Sequence, residues 1–491
     1  MSIPFVRLSL LALAIGLGAS AQAVPGGLVL SACRVDHPAG ISMAAAECAT
    51  LNVPENPAEP QGRQIALHIA RIPAISRRKA ADPLFVLAGG PGMAATSFYA
   101  SVAPAFARIR RDRDIVLVDQ RGTGESGALT CDFDEDALMS AGGGALVDQT
   151  RRCLESLSQS ADVAFYTTSL AVQDLDRVRE VLGYDKVNLY GASYGTRVAQ
   201  HYARRFPERV RTMILDGVVP PQLALGPALA LDAEKALLSI LGRCMDQPAC
   251  RERFGDPAAA YRALRESLQA HPVSVTLPDP TTGEPSTIEF TTLHLATVLR
   301  LASYTAEQAA LLPLALHLAS RSGDFVPLAA QFLVVHRSYG DLLAYGMHNT
   351  VVCSEDVPFY SLQEIDREAL ERTYLGTAQL DALLDMCGVW PRGPVDEDFH
   401  EPLEANIPVL LLSGTDDPVT PPAYAEQAKA GLPHSWHIVM QGFGHGQLGV
   451  PCMDRVMASF IDRGSTEGLD VSCLERARPM PFFTSPSGPP P

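Results

Sequence analysis

The stretch Gly191-Ala192-Ser193-Tyr194-Gly195 decides the fold class of this chain. An apolar run at 187–190 precedes it, and a helix-like stretch at 196–205 follows it. A serine between two glycines, at the junction of a strand and a helix, is typical of a nucleophile elbow, which lifts the serine hydroxyl clear of the sheet. The glycines are needed because side chains at those positions would collide with neighbouring backbone. The pattern predicts that Ser193 is a nucleophile.

A serine nucleophile needs a histidine base and an acid, and in such an elbow they follow the serine in the order acid, then histidine. An apolar run at 409–414 leads to Asp416 and Asp417, and a second run at 436–440 leads into a glycine-rich loop with His445. Loops at the carboxyl ends of parallel strands hold the site of an α/β sheet, so these side chains are expected to meet Ser193. The residues alone leave the choice between the two acids open, and either acid could instead start a turn.

Two backbone donors are expected to face the oxyanion that develops during attack by a serine. One is the N–H of Tyr194, which follows the nucleophile. The other is expected from the glycine-rich loop at 88–92, with Gly90 as the predicted donor and Gly89 and Gly92 as alternatives. A phosphate-binding loop is excluded, because no Lys-Ser or Lys-Thr pair follows these glycines.

The composition is that of an ordinary globular protein. The chain has 491 residues, of which 47% are hydrophobic and 19% charged, and its formal net charge is −16. This charge argues against nucleic acid and anionic membrane surfaces as partners. The sequence offers no uninterrupted membrane span and leaves the oligomeric state open.

The first 23 residues have the pattern of a secretory signal peptide. Arg7 precedes an apolar stretch at 8–17, and Ala21-Gln22-Ala23 predicts cleavage after Ala23. The protein is therefore expected to be secreted or periplasmic. The stretch Leu30-Ser31-Ala32-Cys33 resembles a lipoprotein box, and a lipid anchor at Cys33 is the alternative.

All ten cysteines lie beyond the signal peptide, and their even number is typical of an exported protein with disulfide bonds. Their close spacing in sequence predicts five bonds: Cys33–Cys48, Cys131–Cys153, Cys244–Cys250, Cys353–Cys387 and Cys452–Cys473. No CxxC or HExxH spacing is present, so no metal is expected. A serine mechanism requires no cofactor.

The alternation of strand and helix signals predicts a doubly wound, mostly parallel sheet. Strands are expected at 64–72, 84–87, 114–118, 187–190, 210–215, 409–414 and 436–440, with a helix at 170–182. Between the serine strand and the acid strand the signals are mainly helical, at 229–243, 257–270, 293–304, 306–320 and 326–337. We therefore expect a signal peptide at 1–23, a core at 24–221 and 401–477, a helical cap at 222–400 that roofs the site, and a proline-rich tail at 478–491 that is disordered or loosely packed.

Four stretches resemble those of the α/β-hydrolases of the proline iminopeptidase and tripeptidyl aminopeptidase group. They are the entry segment at 48–54, the Gly-Gly-Pro-Gly loop at 89–92, the Asp-Gln-Arg-Gly-Thr-Gly-Glu-Ser loop at 119–126, and the Ser193 elbow together with 417–421. The resemblance extends over about 30–475 and is weakest in the cap. Ala88 is a departure, because many iminopeptidases have histidine there; the secreted tripeptidyl-type members vary at this position.

The resemblance implies an α/β-hydrolase fold and selects one of the two acids. The acid of this family stands three residues after the glycine that ends the strand, which is Gly414 here, so it is Asp417 rather than Asp416. Asp119 and Arg121 are expected to brace the site rather than to take part in catalysis.

The resemblance also implies removal of residues or short peptides from the amino terminus, so the expected partner is a peptide with a free amino group. A desolvated ammonium group needs carboxylate partners. Glu355 and Asp356, close to Cys353 in the predicted cap, are the preferred candidates, and a solvated acidic turn is the alternative. A carboxylesterase with the same three residues, and a non-catalytic binding protein on a hydrolase scaffold, are the rival functions.

Overall fold

The computed structural model describes residues 22–23, 27–133, 144–279, 282–340 and 342–489. The predicted signal peptide lies outside the described residues, except for a two-residue strand at Gln22–Ala23. No helix among the described residues has both the length and the apolar character needed to cross a membrane.

Ten strands form one sheet and two form a hairpin. In chain order the strands are β1 (Gln22–Ala23), β2 (Val29–Asp36), β3 (Met43–Pro54), β4 (Gln64–Ile72), β5 (Leu84–Leu87), β6 (Ile115–Val118), β7 (Val187–Ala192), β8 (Val210–Asp216), β9 (Val273–Pro278), β10 (Pro285–Phe290), β11 (Val409–Gly414) and β12 (Ser435–Met440). The order in the large sheet is β1-β2-β3-β4-β6-β5-β7-β8-β11-β12, and β9 pairs with β10.

The six strands from β6 to β12 in this order are parallel to one another, and β1 to β4 add an antiparallel edge. The sheet confirms the predicted α/β-hydrolase fold class. Strands β5, β6 and β11 are buried along their whole length, as expected for short apolar runs covered on both faces.

Sixteen α-helices accompany the strands in the described residues. They are α1 (Ala95–Val102), α2 (Gly144–Leu157), α3 (Thr168–Val181), α4 (Tyr194–Arg205), α5 (Leu229–Asp246), α6 (Pro248–Phe254), α7 (Pro257–Ala270), α8 (Thr292–Ala302), α9 (Ala306–Ala309), α10 (Leu312–Ser322), α11 (Val326–Gly340), α12 (Tyr345–Glu355), α13 (Arg367–Glu371), α14 (Ala378–Cys387), α15 (Pro422–Lys429) and α16 (Met453–Arg463).

Two apolar clusters pack on the two faces of the large sheet. Alternate residues of β5 belong to different clusters: Phe85 and Leu87 pack in one cluster, and Leu84 and Val86 pack in the other. A third cluster is built from helices α5, α7, α8, α10 and α11 and the β9–β10 hairpin, all of which lie in the chain between β8 and β11.

This region between β8 and β11 differs in two respects from the sequence expectation. The helix expected at 306–320 is two helices, α9 and α10, since Pro313 lacks a backbone N–H and lies in the first turn of the second. The β9–β10 hairpin was not expected, although Val273–Pro278 alternates between apolar and polar residues.

The five predicted disulfide bonds are confirmed. Cys33 lies within β2 and is bonded to Cys48, so the alternative of a lipid anchor at Cys33 is wrong. The tail also differs from its expectation of loose packing. Phe482 is 1% exposed and packs with Phe254 and Leu314 of helices α6 and α10.

Candidate active site

Ser193 lies between the end of β7 and the start of α4 in a strained conformation. Its φ of 53° and ψ of −122° are rare for a residue with a side chain. A Cβ atom on Gly191 would lie 2.3 Å from the carbonyl oxygen of Gly195, and one on Gly195 would lie 2.3 Å from that of Leu87. The Ser193 N–H donates to the backbone oxygen of Asp216 at 2.8 Å. The two glycines therefore permit the turn, and the neighbouring strand β8 holds it.

His445 and Asp417 meet beyond the carboxyl ends of β12 and β11. The distance from His445 Nδ1 to Asp417 Oδ2 is 2.8 Å. The Thr420 hydroxyl donates to the same oxygen, and the backbone N–H groups of Val419 and Thr420 donate to Asp417 Oδ1, each at 2.8 Å. Because Nδ1 must donate to the carboxylate, the proton lies on Nδ1 and Nε2 is left as an acceptor.

The environment of this pair favours the charged form of both groups. Burial by itself would raise the pKa of Asp417, but the charge and hydrogen bond of His445 and the donors of Thr420 hold that pKa below its ordinary value. Burial would lower the pKa of His445, but Asp417, and secondarily Asp216, raise it above its ordinary value. His445 is therefore a stronger base than a free imidazole.

The structure separates the two adjacent acids. Asp416 turns away from His445 and accepts a hydrogen bond from Ser239 at 2.8 Å and one from Arg243 at 2.7 Å, both on helix α5. Asp417 alone of the two contacts the imidazole. Asp416 thus connects the loop after β11, which carries both acids, to the region between β8 and β11.

The glycine-rich loop after β5 lies against the serine. Gly90 and Gly92 have φ values of 110° and 105°, and a Cβ on Gly89 would lie 3.1 Å from the Ser193 Cβ. Tyr194 is the first residue of α4, so its N–H has no acceptor within the helix. Gly90, Tyr194 and Ser193 line one cavity.

The loop at 119–126 contacts the surroundings of both predicted oxyanion donors. Asp119 accepts from the backbone N–H of Thr96 at 3.0 Å, just after the glycine-rich loop. Gln120 donates to the Tyr194 hydroxyl at 3.0 Å. Arg121 makes a buried ion pair with Asp174 at 2.6 Å. These contacts are structural, as expected for a brace.

A cavity of about 530 Å³ opens at Ser193 and His445. Its wall opposite the sheet comes from the region between β8 and β11, where the polar lining residues are Arg300, Tyr304, Thr305, Glu307, His348, Asp356 and Gln379. Apolar lining residues include Met93, Phe98, Leu343, Leu383 and Leu448.

The two acids expected to bind a substrate amino group have different surroundings. Asp356 lines the cavity, and its Oδ1 accepts from Arg197 at 2.9 Å and from the N–H of Leu225 at 2.7 Å. Glu355 is fully buried, is not among the described residues that line the cavity, and accepts from the N–H and hydroxyl of Thr168 at 2.6 and 2.8 Å. The prediction for Glu355 therefore finds no support in its position, and Asp356 alone remains a candidate.

Sequence reasoning missed Asp216, a buried carboxylate that lines the cavity. It accepts from the N–H of Gln447 at 2.9 Å and from the hydroxyl of Tyr190 at 2.8 Å, and burial raises its pKa to about 6. Asp216 ends the buried strand β8 and precedes Gly217, so the strand-end pattern that pointed to Asp417 could have identified it.

Comparison with known proteins supports the fold. Residues 82–241 match the model of the alpha/beta hydrolase fold, and residues 372–473 match that of TAP-like proteins. The serine protease Hip1 of Mycobacterium tuberculosis is 27% identical over 478 residues, which cover 90% of each chain. Carboxylesterase B of the same organism is 29% identical over 472 residues, covering 87% of this chain and 86% of its own. The tripeptidyl aminopeptidase of Streptomyces lividans is 32% identical over 192 residues, covering 36% of each chain.

The chain therefore belongs to the α/β-hydrolases, and its carboxyl-terminal part is of the TAP-like type. The resemblance to the iminopeptidase and tripeptidyl aminopeptidase group is confirmed. Within that fold the relatives are serine proteases, esterases and peptidases, so the chain is a member of a serine hydrolase family.

Proposed function

We propose that this chain is an exported serine aminopeptidase that releases amino-terminal residues or short peptides. His445 accepts the proton of Ser193 as its oxygen attacks the scissile carbonyl, and Asp417 orients the imidazole. The N–H groups of Gly90 and Tyr194 stabilise the oxyanion. His445 then protonates the departing amine, and a water molecule that it activates hydrolyses the acyl-enzyme.

The observation that carries the choice of an aminopeptidase is the carboxylate of Asp356 in the wall of the same cavity as Ser193. Both of its contacts, from Arg197 and Leu225, are made to Oδ1, which leaves Oδ2 for a substrate. An ammonium group that enters a cavity loses water and needs such an acceptor. The similarity to a tripeptidyl aminopeptidase supports the same choice.

Export is part of the proposal. Disulfide bonds form and persist outside the reducing cytoplasm, and this chain has five of them. The first 23 residues supply the expected signal, with cleavage after Ala23. Amino-terminal sequencing of protein secreted by a bacterial host tests the cleavage position.

The test of the aminopeptidase function is the hydrolysis of matched chromogenic substrates. The panel contains Pro and Ala amides, a tripeptide amide of the Ala-Ala-Pro type, its amino-blocked form and a short-chain ester. Wild-type protein is expected to cleave the free-amine peptides much faster than the blocked one, and Ser193→Ala is expected to cleave none. Equal cleavage of free and blocked peptides would contradict the proposal.

Asp356→Asn tests the amino-group partner. Loss of one member of a desolvated charge pair costs about 2 kcal/mol or more, so kcat/KM for the free-amine peptide is expected to fall about 30-fold or more. Hydrolysis of the ester, which has no amine, is expected to continue. Glu307→Gln is the matched control, since Glu307 lines the same cavity but is exposed. An equal loss with both substrates would remove Asp356 from this role.

A carboxylesterase is the second candidate. The apolar lining from Phe98, Leu343 and Leu383 would accept an acyl chain, and carboxylesterase B is similar along most of the chain. If the ester is cleaved and every peptide of the panel is left intact, the function is esterase.

A further inference from the structure

Glu355 has a fully buried carboxylate whose contacts lead to the nucleophile elbow. Its Oε1 accepts the backbone N–H of Thr168 at 2.6 Å, and its Oε2 accepts the Thr168 hydroxyl at 2.8 Å. The Thr168 oxygen lies 2.6 Å from the hydroxyl of Tyr194, the residue whose N–H is the proposed oxyanion donor. One threonine therefore separates this carboxylate from the elbow.

The hydrogen bonds in this chain have a single consistent direction. The Thr168 hydroxyl has one proton, which it donates to Glu355, so the Tyr194 hydroxyl must donate to Thr168. Gln120 in turn donates its amide N–H to Tyr194 at 3.0 Å. Because Gln120 already donates to the Tyr194 oxygen, the Tyr194 hydroxyl proton needs the Thr168 oxygen as its acceptor. Thr168 can accept that proton and still use its own only if Glu355 is an acceptor.

Glu355 is the last residue of helix α12, and the first turn of α12 contacts the other side of the oxyanion site. The N–H of Ala344, which precedes the helix, donates to the oxygen of Gly92 at 2.9 Å. His348 donates from Nδ1 to the oxygen of Pro91 at 3.2 Å. The start of helix α12 thus contacts the glycine-rich loop. The end of the same helix is connected to Tyr194 through Thr168.

We infer that helix α12 sets the spacing of the two oxyanion donors and that Glu355 is a positioning residue that acts on Tyr194 through Thr168. The inference rests on the proposed roles of Ser193, Gly90 and Tyr194. It does not depend on whether the substrate is a peptide or an ester.

The surroundings of Glu355 affect its charge. The charged and titratable groups around it are Arg197 and Tyr194 of α4, the adjacent Asp356, and His400. Burial raises the pKa of Glu355 to about 7, although the charge of Arg197 and the two bonds from Thr168 oppose this shift. The charge of Arg197 and the hydrogen bonds from Thr168 therefore work against burial to keep Glu355 an acceptor.

The test is kinetic and uses the full-length mature protein. In Glu355→Gln an amide N–H faces the Thr168 hydroxyl, so Thr168 must turn to Tyr194 and the Tyr194 hydroxyl loses its acceptor. Because removal of an oxyanion donor costs about 100-fold or more in kcat, its displacement is expected to cost about 10-fold. The loss is expected in kcat for both the ester and the free-amine peptide, with KM within about twofold.

Two further variants remove the same link at other points. Thr168→Val deletes the hydroxyl, and Tyr194→Phe deletes the phenol oxygen but keeps the backbone N–H. Each is expected to lower kcat to a similar extent, and Glu355→Gln combined with Thr168→Val is expected to be no worse than either alone. These variants also give the readout if Glu355→Gln does not fold.

Glu234→Gln is the matched control. Glu234 accepts from the Tyr261 hydroxyl and from the N–H of Tyr374, each at 3.0 Å, and does not line the cavity. Glu234, like Glu355, accepts hydrogen bonds from a hydroxyl and from a backbone N–H. The kcat of Glu234→Gln is expected to equal that of wild type.

Three results would overturn the inference. They are an unchanged kcat for Glu355→Gln on the ester, additive losses in the double variant, and a selective loss with the free-amine peptide, which would make Glu355 an amino-group ligand. Failure of the aminopeptidase proposal has a different signature, because free-amine peptides are then not cleaved in preference to blocked ones, while ester hydrolysis still reports the effect of Glu355.

Discussion

Arg243 donates to Asp416 at 2.7 Å, one residue before the carboxylate that binds His445. The Asp416 side chain is 2% exposed, so this ion pair is shielded from solvent. Two neighbouring carboxylates therefore have separate partners: Asp417 contacts the imidazole of His445, and Asp416 attaches the loop after β11 to helix α5.

Replacement of the two acids is expected to give different defects. Asp417→Asn is expected to lower kcat by about 10⁴-fold with little change in stability, because Asn cannot hold the required tautomer of His445. Asp416→Asn is expected to keep kcat within about threefold and to lower the melting temperature, because Arg243 loses its ionic partner. Steady-state kinetics and thermal unfolding measure the two effects. A large loss of kcat in Asp416→Asn alone would reverse the assignment.

The pH dependence of kcat/KM is expected to follow His445. Only the neutral imidazole can accept the proton of Ser193, so activity rises as His445 loses its proton. Asp417 and Asp216 raise the pKa of His445, so the acidic limb is expected at a pH above the ordinary histidine value of about 6.5. A pH–rate profile on the ester measures it; a limb well below pH 6 would contradict this expectation.

Two variants are expected to move that limb in opposite directions. Asp216→Asn removes a negative charge that raises the pKa of His445, so the limb moves to lower pH. Arg300→Gln removes a positive charge that lowers the same pKa, so the limb moves to higher pH. A loss of activity without a shift in Asp216→Asn would show that Asp216 acts only through its bonds to Gln447 and Tyr190.

The carboxyl-terminal tail is expected to contribute to stability. Phe482 is 1% exposed, and the guanidinium group of Arg243 lies 5.2 Å from its ring centre. Phe482→Ala is expected to cost about 3–5 kcal/mol of the free energy of unfolding, as for other buried phenylalanines. Met480→Ala, at a residue that is 39% exposed, is the control and is expected to change little. Equal melting temperatures for the two variants would show that the tail is not packed in solution.

The sequence was informative where a side chain follows directly from a buried strand. Ser193 and Asp417 come after buried strands, and His445 comes after the half-buried apolar strand β12, so the parallel sheet that brings them together could be inferred from their apolar runs. The resemblance to a known family selected between Asp416 and Asp417. The structure agrees with the choice of Asp417, because its carboxylate contacts His445, which is 28 residues further along the chain.

The environment of Glu355 could not be predicted in the same way. Its partner Thr168 is 187 residues away in the chain, and the contact depends on how α12 packs on the core. Nearly all residues of α12 are buried, so the helix has no polar face and no amphipathic period that would reveal it. The expectation for the tail was based on its proline content. That content gives no information on the contacts that bury Phe482.

The contacts of α12 with the loop around Gly92 and with Thr168 limit how this enzyme can be engineered. A chimaera that exchanged only the segment between β8 and β11 for that of a relative would receive a foreign helix against a native glycine-rich loop. Such a graft should alter turnover as well as substrate choice. The helix, the glycine-rich loop and the start of α3 should therefore be transplanted together.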